Sequence, residues 1–421
     1  MLPFLKTKTA LIFASLLVLL ALSLGGGLAS KGVDTASTYE NLKLFTEVLS
    51  IVQNQYVEEM EPPKLLQGAV RGMVNSLDPH SSFLDKESYR EFQVDTSGSF
   101  GGLGIEITIA DKKFLTVIAP IEGTPAHRAG IVTGDRIVKI EGIATEGLDI
   151  LQAVKMMRGK PGTKVTISIW REGWTEAKDV TLVREVVRVQ SVRSREAEKG
   201  IGVIRIRQFQ ERTAEDVESV LEKLEKNGLQ GLILDLRGNP GGLLTSAVEV
   251  AEKFLEDGKL VVYTEGRVKQ QNMRLAAHAR RPRLGFPMVV LVDKGSASAS
   301  EIVAGAIQDW GRGVVLGTTT HGKGSVQTII PLSDGSGLRL TTAMYFTPKG
   351  RTIHNKGITP DIVVEPPAKA PEPQSAELPK PQSEAEELKK DIQLQRAIEI
   401  LKASQILGKN REKSRTEAQA R

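Results

Sequence analysis

The spacing of apolar residues changes twice along the chain, and each change restricts what the segment carrying it can become. Over residues 39–89 apolar side chains recur at helical intervals, as Leu42, Leu44, Phe45, Val48, Leu49 and Val52 and later Leu65, Leu66, Val70, Met73 and Val74, which predicts amphipathic helices. From 98 to about 185 short alternating strands take over, expected at 103–109, 114–118, 135–140, 164–170 and 179–183, with one long helix at 148–157. After Gln190 strands and helices take turns: strand 201–206, helix 213–226, strand 231–236, helix 243–255, then strands 260–264 and 288–292. Repeated units of that kind build a layered α/β core. The three regions call for different layers, so a multidomain α/β chain is expected, and 421 residues leave room for two or three domains. Pro366, Pro367, Pro371, Pro373, Pro379 and Pro381 then mark an extended linker over 366–383, ahead of a charged helix at 384–407 and a polar tail.

Composition excludes several kinds of chemistry. There is no cysteine, so a thiol nucleophile, a zinc–thiolate site and any disulfide are ruled out. The net charge of +5 looks basic, yet Lys6 and Lys8 carry two of those charges and the tail from Lys409 onward three, leaving the stretch between them neutral. No nucleic acid is expected as a partner, since such a protein concentrates its excess positive charge on a folded face. Within residues 1–29, Lys6 and Lys8 precede an apolar run at 10–24 and then Gly25, Gly26, Gly27 and Ala29, the order of an export signal. The apolar stretch also reaches the ~20 residues that span a bilayer, so a cleaved signal and a retained membrane anchor are both open readings. Either way the expected location is the periplasm or the outer face of the cytoplasmic membrane.

Ser298 and Lys323 carry the sharpest chemical signal. A serine hydroxyl is a weak nucleophile until its proton is removed, and a desolvated neutral lysine amine is among the few side chains able to remove it. Ser298 follows the strand 288–292 and a turn, and opens a helix from about residue 299. Ser298 and Glu301 also fit a Ser-x-x-Glu capping box, and on that feature alone a structural role outweighs a catalytic one. The catalytic reading uses the same geometry, because the Ala299 N–H and the positive end of the helix dipole would lie beside a nucleophile there. Lys323 stands between Gly322 and Gly324, where a lysine is ordinarily a solvated turn residue. Residues 317–323 even fit the G-x-x-x-x-G-K phosphate loop, but Gly324 replaces its hydroxyl residue, and 325–332 reads as strand where that loop requires a helix. Of the histidines His80, His127, His278, His321 and His354, only His321 lies beside the Ser298 and Lys323 segments, and a turn position accounts for it.

Two resemblances add to this reading. Gly101, Gly102 and Gly104 at the opening of the first strand, a short helix at 126–130, and Gly134, Asp135, Arg136 and Ile137 resemble a PDZ domain. That resemblance implies a β-rich domain with two helices over 98–185. A peptide would add as a strand beside the first strand, its carboxylate held by backbone N–H groups around Gly101, Gly102, Leu103, Gly104 and Ile105. On the glycines alone an ordinary turn or bulge serves as well. The second resemblance rests on Leu234, Asp235, Leu236, Arg237, Gly238, Asn239, Pro240, Gly241 and Gly242, on residues 295–301 around Ser298, and on Gly322, Lys323 and Gly324 with Gln327. Tyr345, Phe346, Thr347 and Pro348, residues 357–361, and residues 77–82 around His80 extend it. Together they are similar to the C-terminal processing peptidases, also called tail-specific proteases.

The family implies a helical N-terminal region over 30–97, a PDZ domain, and an α/β (ClpP/crotonase-like) serine protease core over 186–365. By the same resemblance Ser298 is the nucleophile, Lys323 the general base and Gln327 the residue that orients the amine. Gly242 and Ala299 are the expected oxyanion donors, with Gly241 an alternative register for the first. Arg158 sits in a turn where relatives couple the PDZ domain to the protease, although an arginine at a helix C-terminus is an equally good account. Asp309 matches an acid that is sensitive in some relatives, with a helix-end salt bridge the preferred explanation. The implied activity is endoproteolysis of exported proteins recognised by their C-termini, with no cofactor and no metal. The competing class is a catalytically inactive exported PDZ adaptor. Apolar residues over 39–74 and 392–407 exceed what local packing needs, so a homodimer is expected, with membrane association possible through the N-terminal segment.

Overall fold

The computed structural model describes residues 35–110, 113–279, 281–366 and 390–419. The expected export segment and most of the proline-rich linker lie outside these residues, as does the start of the helix expected at 384. The chain divides into two compact units, Met1–Leu77 and Asp78–Arg421. In the first, helix α1 (Thr35–Gln55) is followed by α2 (Pro62–Asn75). Pro62 and Pro63 open α2 without penalty, because N–H groups of a first turn have no intrahelical acceptor. Leu42, Leu44, Phe45, Val48 and Ile51 of α1 are exposed.

The second unit starts with a turn that interrupts the helical spacing read over 39–89. The Asp78 carboxylate accepts the N–H groups of His80 (2.7 Å) and Ser81 (2.8 Å), a local alternative to helix that aspartate offers readily. Strand β1 (Ser82–Leu84) follows, then helix α3 (Lys86–Ser97), whose N-cap Asp85 accepts from Ser88.

The PDZ-like body runs through β2 (Ser99–Gly102), β3 (Ile105–Ala110), β4 (Phe114–Pro120), the short α4 (Pro125–Arg128), β5 (Arg136–Ile140), β6 (Ile143–Ala144), α5 (Ile150–Met157), β7 (Lys164–Trp170), β8 (Lys178–Val183) and β9 (Glu185–Arg188). Its main sheet has the order β3-β4-β5-β7-β8, so β3 is an edge strand. Ala126 of α4 and Ala153 and Met157 of α5 bury against Leu115, Val117, Ile137, Val165 and Ile167. The strand expected at 103–109, opened by Gly101 to Gly104, is β3, which starts only at Ile105. Gly101 and Gly102 belong to β2, which pairs with β9 in a separate ladder, and the chain turns at Gly104 (φ +76°) before β3.

The protease body contains β10 (Val192–Glu198), β11 (Ile201–Ile206), α6 (Thr213–Lys226), β12 (Gly231–Asp235), α7 (Leu244–Glu252), β13 (Leu260–Gly266), β14 (Arg274–Ala276), β15 (Met288–Val292), α8 (Ala299–Asp309), β16 (Val314–Gly317), β17 (Ser325–Pro331), β18 (Gly337–Phe346), β19 (Ile362–Val363) and α9 (Ile392–Gln419). Its sheet runs β10-β11-β12-β15-β16-β19, antiparallel only at the β10 edge. Both faces are covered, which is why β12 and β15 are apolar without alternation. Helices α6, α7 and α8 pack on one face, where Val217, Ala247 and Val303 join the main core. On the other, Leu394, Ala397, Ile398 and Leu401 of α9 bury against Ile233, Val289 and Leu291. Part of the apolar stripe expected at a subunit interface is thus used by the chain's own sheet, while Ile392, Ile406 and Leu407 remain exposed.

A second sheet joins β1, β18, β13 and β14, with β17 also paired to β18. The order β12-β15-β16 matters most for function. Three adjacent parallel strands deliver the loops after their C-terminal ends side by side, where open α/β sheets bind ligands.

Candidate active site

Those three loops carry the residues singled out by the sequence. Residues 236–243 follow β12, the turn 293–298 follows β15, and 318–324 follow β16. The first two are fastened by polar side chains. Asn239, fully buried, donates its amide to the Ile206 carbonyl (2.9 Å), and its own carbonyl accepts the Ala297 N–H (3.0 Å) and the Ser300 hydroxyl (3.0 Å). The Asp293 carboxylate accepts the N–H groups of Gly238 (2.8 Å) and Gly295 (2.9 Å).

Ser298 precedes α8 with φ +55° and ψ −114°, a conformation that a residue bearing a side chain rarely adopts. Of the three serines in this stretch it alone is partly exposed. Ser296 and Ser300 are buried, their hydroxyls bonded to the carbonyls of Leu236 (2.8 Å) and Asn239. The capping-box partner of Ser298 is present, since Glu301 accepts the Ser298 N–H at 2.7 Å. Glu301 does more than cap. Completely buried, its carboxylate also accepts the Thr320 hydroxyl (2.5 Å), the Gly322 N–H (2.7 Å) and the Lys323 N–H (3.0 Å). One side chain thus ties the serine loop to the lysine loop, a link invisible in a local Ser-x-x-Glu pattern.

Lys323 is half-buried, and its amine has no hydrogen-bond or ion-pair partner among the described residues. Burial first, and the Arg339 charge second, push its pKa below the ordinary lysine value, against an opposing pull from Glu301. A strand, β17, follows it, which removes the phosphate-loop reading. Gln327 lies on β17 and donates its amide to the Ser325 hydroxyl (2.8 Å), not to the Lys323 amine. His80, absent from the sequence-based site, is electrostatically coupled to Lys323: burial and then that charge lower its pKa. The signal that could have found it is its place in the 77–82 motif.

Glycines 241 and 242 differ in what they offer. The Gly241 N–H donates to Asn239 Oδ1 (2.9 Å), and a Cβ there would sit 2.7 Å from Ser298 Cβ. Gly242 (φ +140°) is exposed, and the bridge to Phe209 uses the Gly241 carbonyl and the Leu243 N–H, which leaves the Gly242 N–H outside the ladder. The Ala299 N–H heads α8, where no intrahelical acceptor exists. A hydroxyl on a strained turn, an unpaired desolvated amine and two uncommitted backbone donors make up the parts for acyl transfer.

Asp309 is not part of this group. Near the far end of α8 it accepts the Lys349 N–H (2.8 Å) and pairs with Arg351, the helix-end role expected of it. Arg158 also lies outside it, its guanidinium over the Phe100 ring at 4.3 Å and its Nε buried without a partner among the described residues. The C-terminus of α5 is capped by a different arginine, Arg184, bonded to the carbonyls of Met156 and Met157 (both 2.9 Å). Leu103 and Gly104 link β2 to the edge strand β3, which starts at Ile105.

Comparison with known proteins agrees with this layout. In chain order, residues 25–88 match the activating protease CtpB N-terminal domain, 116–171 a PDZ domain and 200–364 peptidase family S41. The carboxy-terminal-processing protease of Bartonella bacilliformis is 45% identical over 335 residues, covering 79% of this chain and 76% of that one. The carboxy-terminal processing protease CtpA of Bacillus subtilis is 36% identical over 357 residues, 84% of this chain and 76% of its own. Among solved structures, a photosystem II D1 C-terminal processing protease is 31% identical, with a TM-score of 0.45 over 77% of this chain and 93% of that one. With the S41 match spanning all three site loops and such identity extending over most of each relative, the chain belongs to peptidase family S41, the C-terminal processing serine proteases that carry a PDZ domain.

Proposed function

We propose that the chain is a Ser–Lys endopeptidase that captures the C-termini of exported proteins with its PDZ domain and cleaves them. The observation that supports this best is the unpartnered, desolvated Lys323 amine on a loop that Glu301 ties to the Ser298 turn. Neutral Lys323 takes the proton from Ser298 Oγ as that oxygen attacks the scissile carbonyl. Charge gathers on the carbonyl oxygen against the N–H groups of Gly242 and Ala299, and the lysine returns the proton to the leaving amine. Water then repeats the cycle on the acyl-enzyme. In this reading Gln327 turns its amide from Ser325 to the lysine during the cycle.

Tail capture uses the exposed edge of β3, which a peptide extends as an added strand, with its carboxylate on the N–H groups around Leu103 and Gly104. Residues 1–29 direct export, which places the enzyme in the periplasm or against the membrane. The exposed apolar residues of α1 pair two subunits. The test is Ser298→Ala. It should abolish cleavage of an unfolded protein with an apolar tail, while tail-peptide affinity persists and the lost cap costs only ~1 kcal/mol. A folded Ser298→Ala that cleaves near the parent rate rejects the reading, and a parent that binds tails without cleaving is the inactive adaptor.

A further inference from the structure

The β10 edge of the protease sheet gathers positive charge that the fold leaves largely unmatched. Val192 on β10 and Ile204 and Ile206 on β11 bury with Val217 and Leu221 of α6. Side chains alternate along a strand, so Arg193 and Arg205, directly opposite each other across the two strands, project from the other face. Two residues further on, Arg195 and Arg207 extend the row along each strand. Helix α9 covers Ile233, Val289 and Leu291 on that face, yet Arg193, Arg205 and Arg207 stay exposed and Arg195 half-buried. None of the four guanidinium groups has a hydrogen bond or ion pair among the described residues. They line a groove of about 680 Å³ together with Asp216 and Asp235. Asp235 is already paired with Arg237, and Asp216 belongs to α6 and feels Arg212 and Arg188. Like charges set opposite each other on paired strands cost stability. Burial first, then the charges of Arg193 and Arg205, lower the Arg207 pKa against a smaller pull from Glu106.

Strand β10 is also the open edge of this sheet, with β11 as its one neighbour. The backbone groups on its outer side have no backbone partner among the described residues. Such an edge accepts an extended chain as a further strand, whose side chains reach one face at every second position. Carboxylates at that interval match the row of arginines, whereas a phosphate or a lipid headgroup leaves the edge unpaired. We infer that the β10 edge is a docking groove for an acidic, extended segment of a partner protein, which adds as a strand and directs alternate carboxylates toward Arg193, Arg195, Arg205 and Arg207. This surface is separate from the PDZ edge strand β3 and does not rest on the roles proposed for Ser298 and Lys323.

The probe is a dye-labelled peptide of alternating glutamate and threonine, amidated at its C-terminus so that it offers no tail carboxylate. Its binding to the full chain carrying Ser298→Ala is followed by fluorescence anisotropy, and mass spectrometry checks that the peptide stays intact. Binding should be saturable and should weaken with salt. The double variant Arg193→Gln, Arg205→Gln should bind at least ~10-fold more weakly, as loss of charge-assisted bonds requires. It should melt no lower than its parent, because a repulsion is removed. Should it fail to fold, Arg195→Gln alone is expected to weaken binding. A glutamine–threonine peptide, and a glutamate–threonine peptide N-methylated at alternate amides, should each bind more weakly. No binding, binding unchanged in the folded variants, or equal binding of the glutamine peptide overturns the inference. Equal binding of the N-methylated peptide rejects strand addition. Inorganic phosphate or phosphatidylglycerol vesicles that bind through these arginines while the peptide does not make this an anion or membrane site, and overturn it as well.

Discussion

Lys323 owes its lowered pKa to where it is, not to what it is. If it is the base proposed, its neutral form is the competent one and activity should rise with pH through a midpoint below the ordinary lysine value, as burial and Arg339 dictate. Lys323→Arg should be as inactive as Lys323→Ala, by at least ~10²-fold, because guanidinium does not give up its proton; steady-state rates on an unfolded substrate decide this. The same shift has a stability signature. The unfolded chain binds the lysine proton more tightly than the folded one, so between the lowered folded value and the ordinary one stability increases with pH. Urea unfolding across that window should show the increase in the parent and its loss in Lys323→Met. Ser298 and Lys323 were legible in the sequence through the family motifs around them, since on residue type and glycine-rich context alone a helix cap and a solvated turn account for them. The reach of Glu301 beyond its cap was not, since its carboxylate acts on a loop that only the folded sheet brings near.

Among elements, the most constrained contact joins the loop after β12 to α9. Arg237 is bonded to Asp235 (2.9 Å), Asp391 (2.8 Å) and Gln393 (3.0 Å), and is itself mostly buried. Removing it leaves Asp235 buried without its cation, so Arg237→Ala should cost about 3–5 kcal/mol in denaturant unfolding and free α9 for proteolysis. For Asp391, burial alone would raise the pKa, but Arg237 outweighs it and the net value is lowered. This pair's stabilisation is therefore complete above the ordinary carboxylate range and lost as pH falls through the folded value. A second element-scale prediction concerns α5 and β2: if Arg158 on Phe100 transmits tail capture to the protease, Arg158→Ala lowers kcat and leaves tail-peptide affinity unchanged. Steady-state kinetics and fluorescence binding on one preparation separate that outcome from a passive tether. Parallel strands β11, β12 and β15 were readable as apolar runs. The β17–β18 hairpin was only partly so: β17 was expected as a strand, but most of β18 is intermediate in burial and lacks the alternation that marks a half-buried strand.

For the whole molecule, the exposed apolar residues of α1 predict a dimer, and light scattering at micromolar concentration should return twice the mass of the chain. Replacing Leu42, Phe45 and Val48 with serine should halve it, while a parent that is already monomeric removes the prediction. Domain order was legible because each region keeps its own apolar period. The fate of α9 was not, because a charged helix with one apolar stripe looks the same whether a subunit or its own sheet covers it. The carboxylate of Glu301, shared by loops after neighbouring strands, also bears on when in its life the protein becomes dangerous. With Ser298 as nucleophile and Lys323 as base, as proposed, the two loops are tied together only after β15 and β16 have paired and both have closed on that one side chain. An incompletely folded chain would then be unable to cut itself or its neighbours, and proteolytic competence would be among the last properties that folding confers.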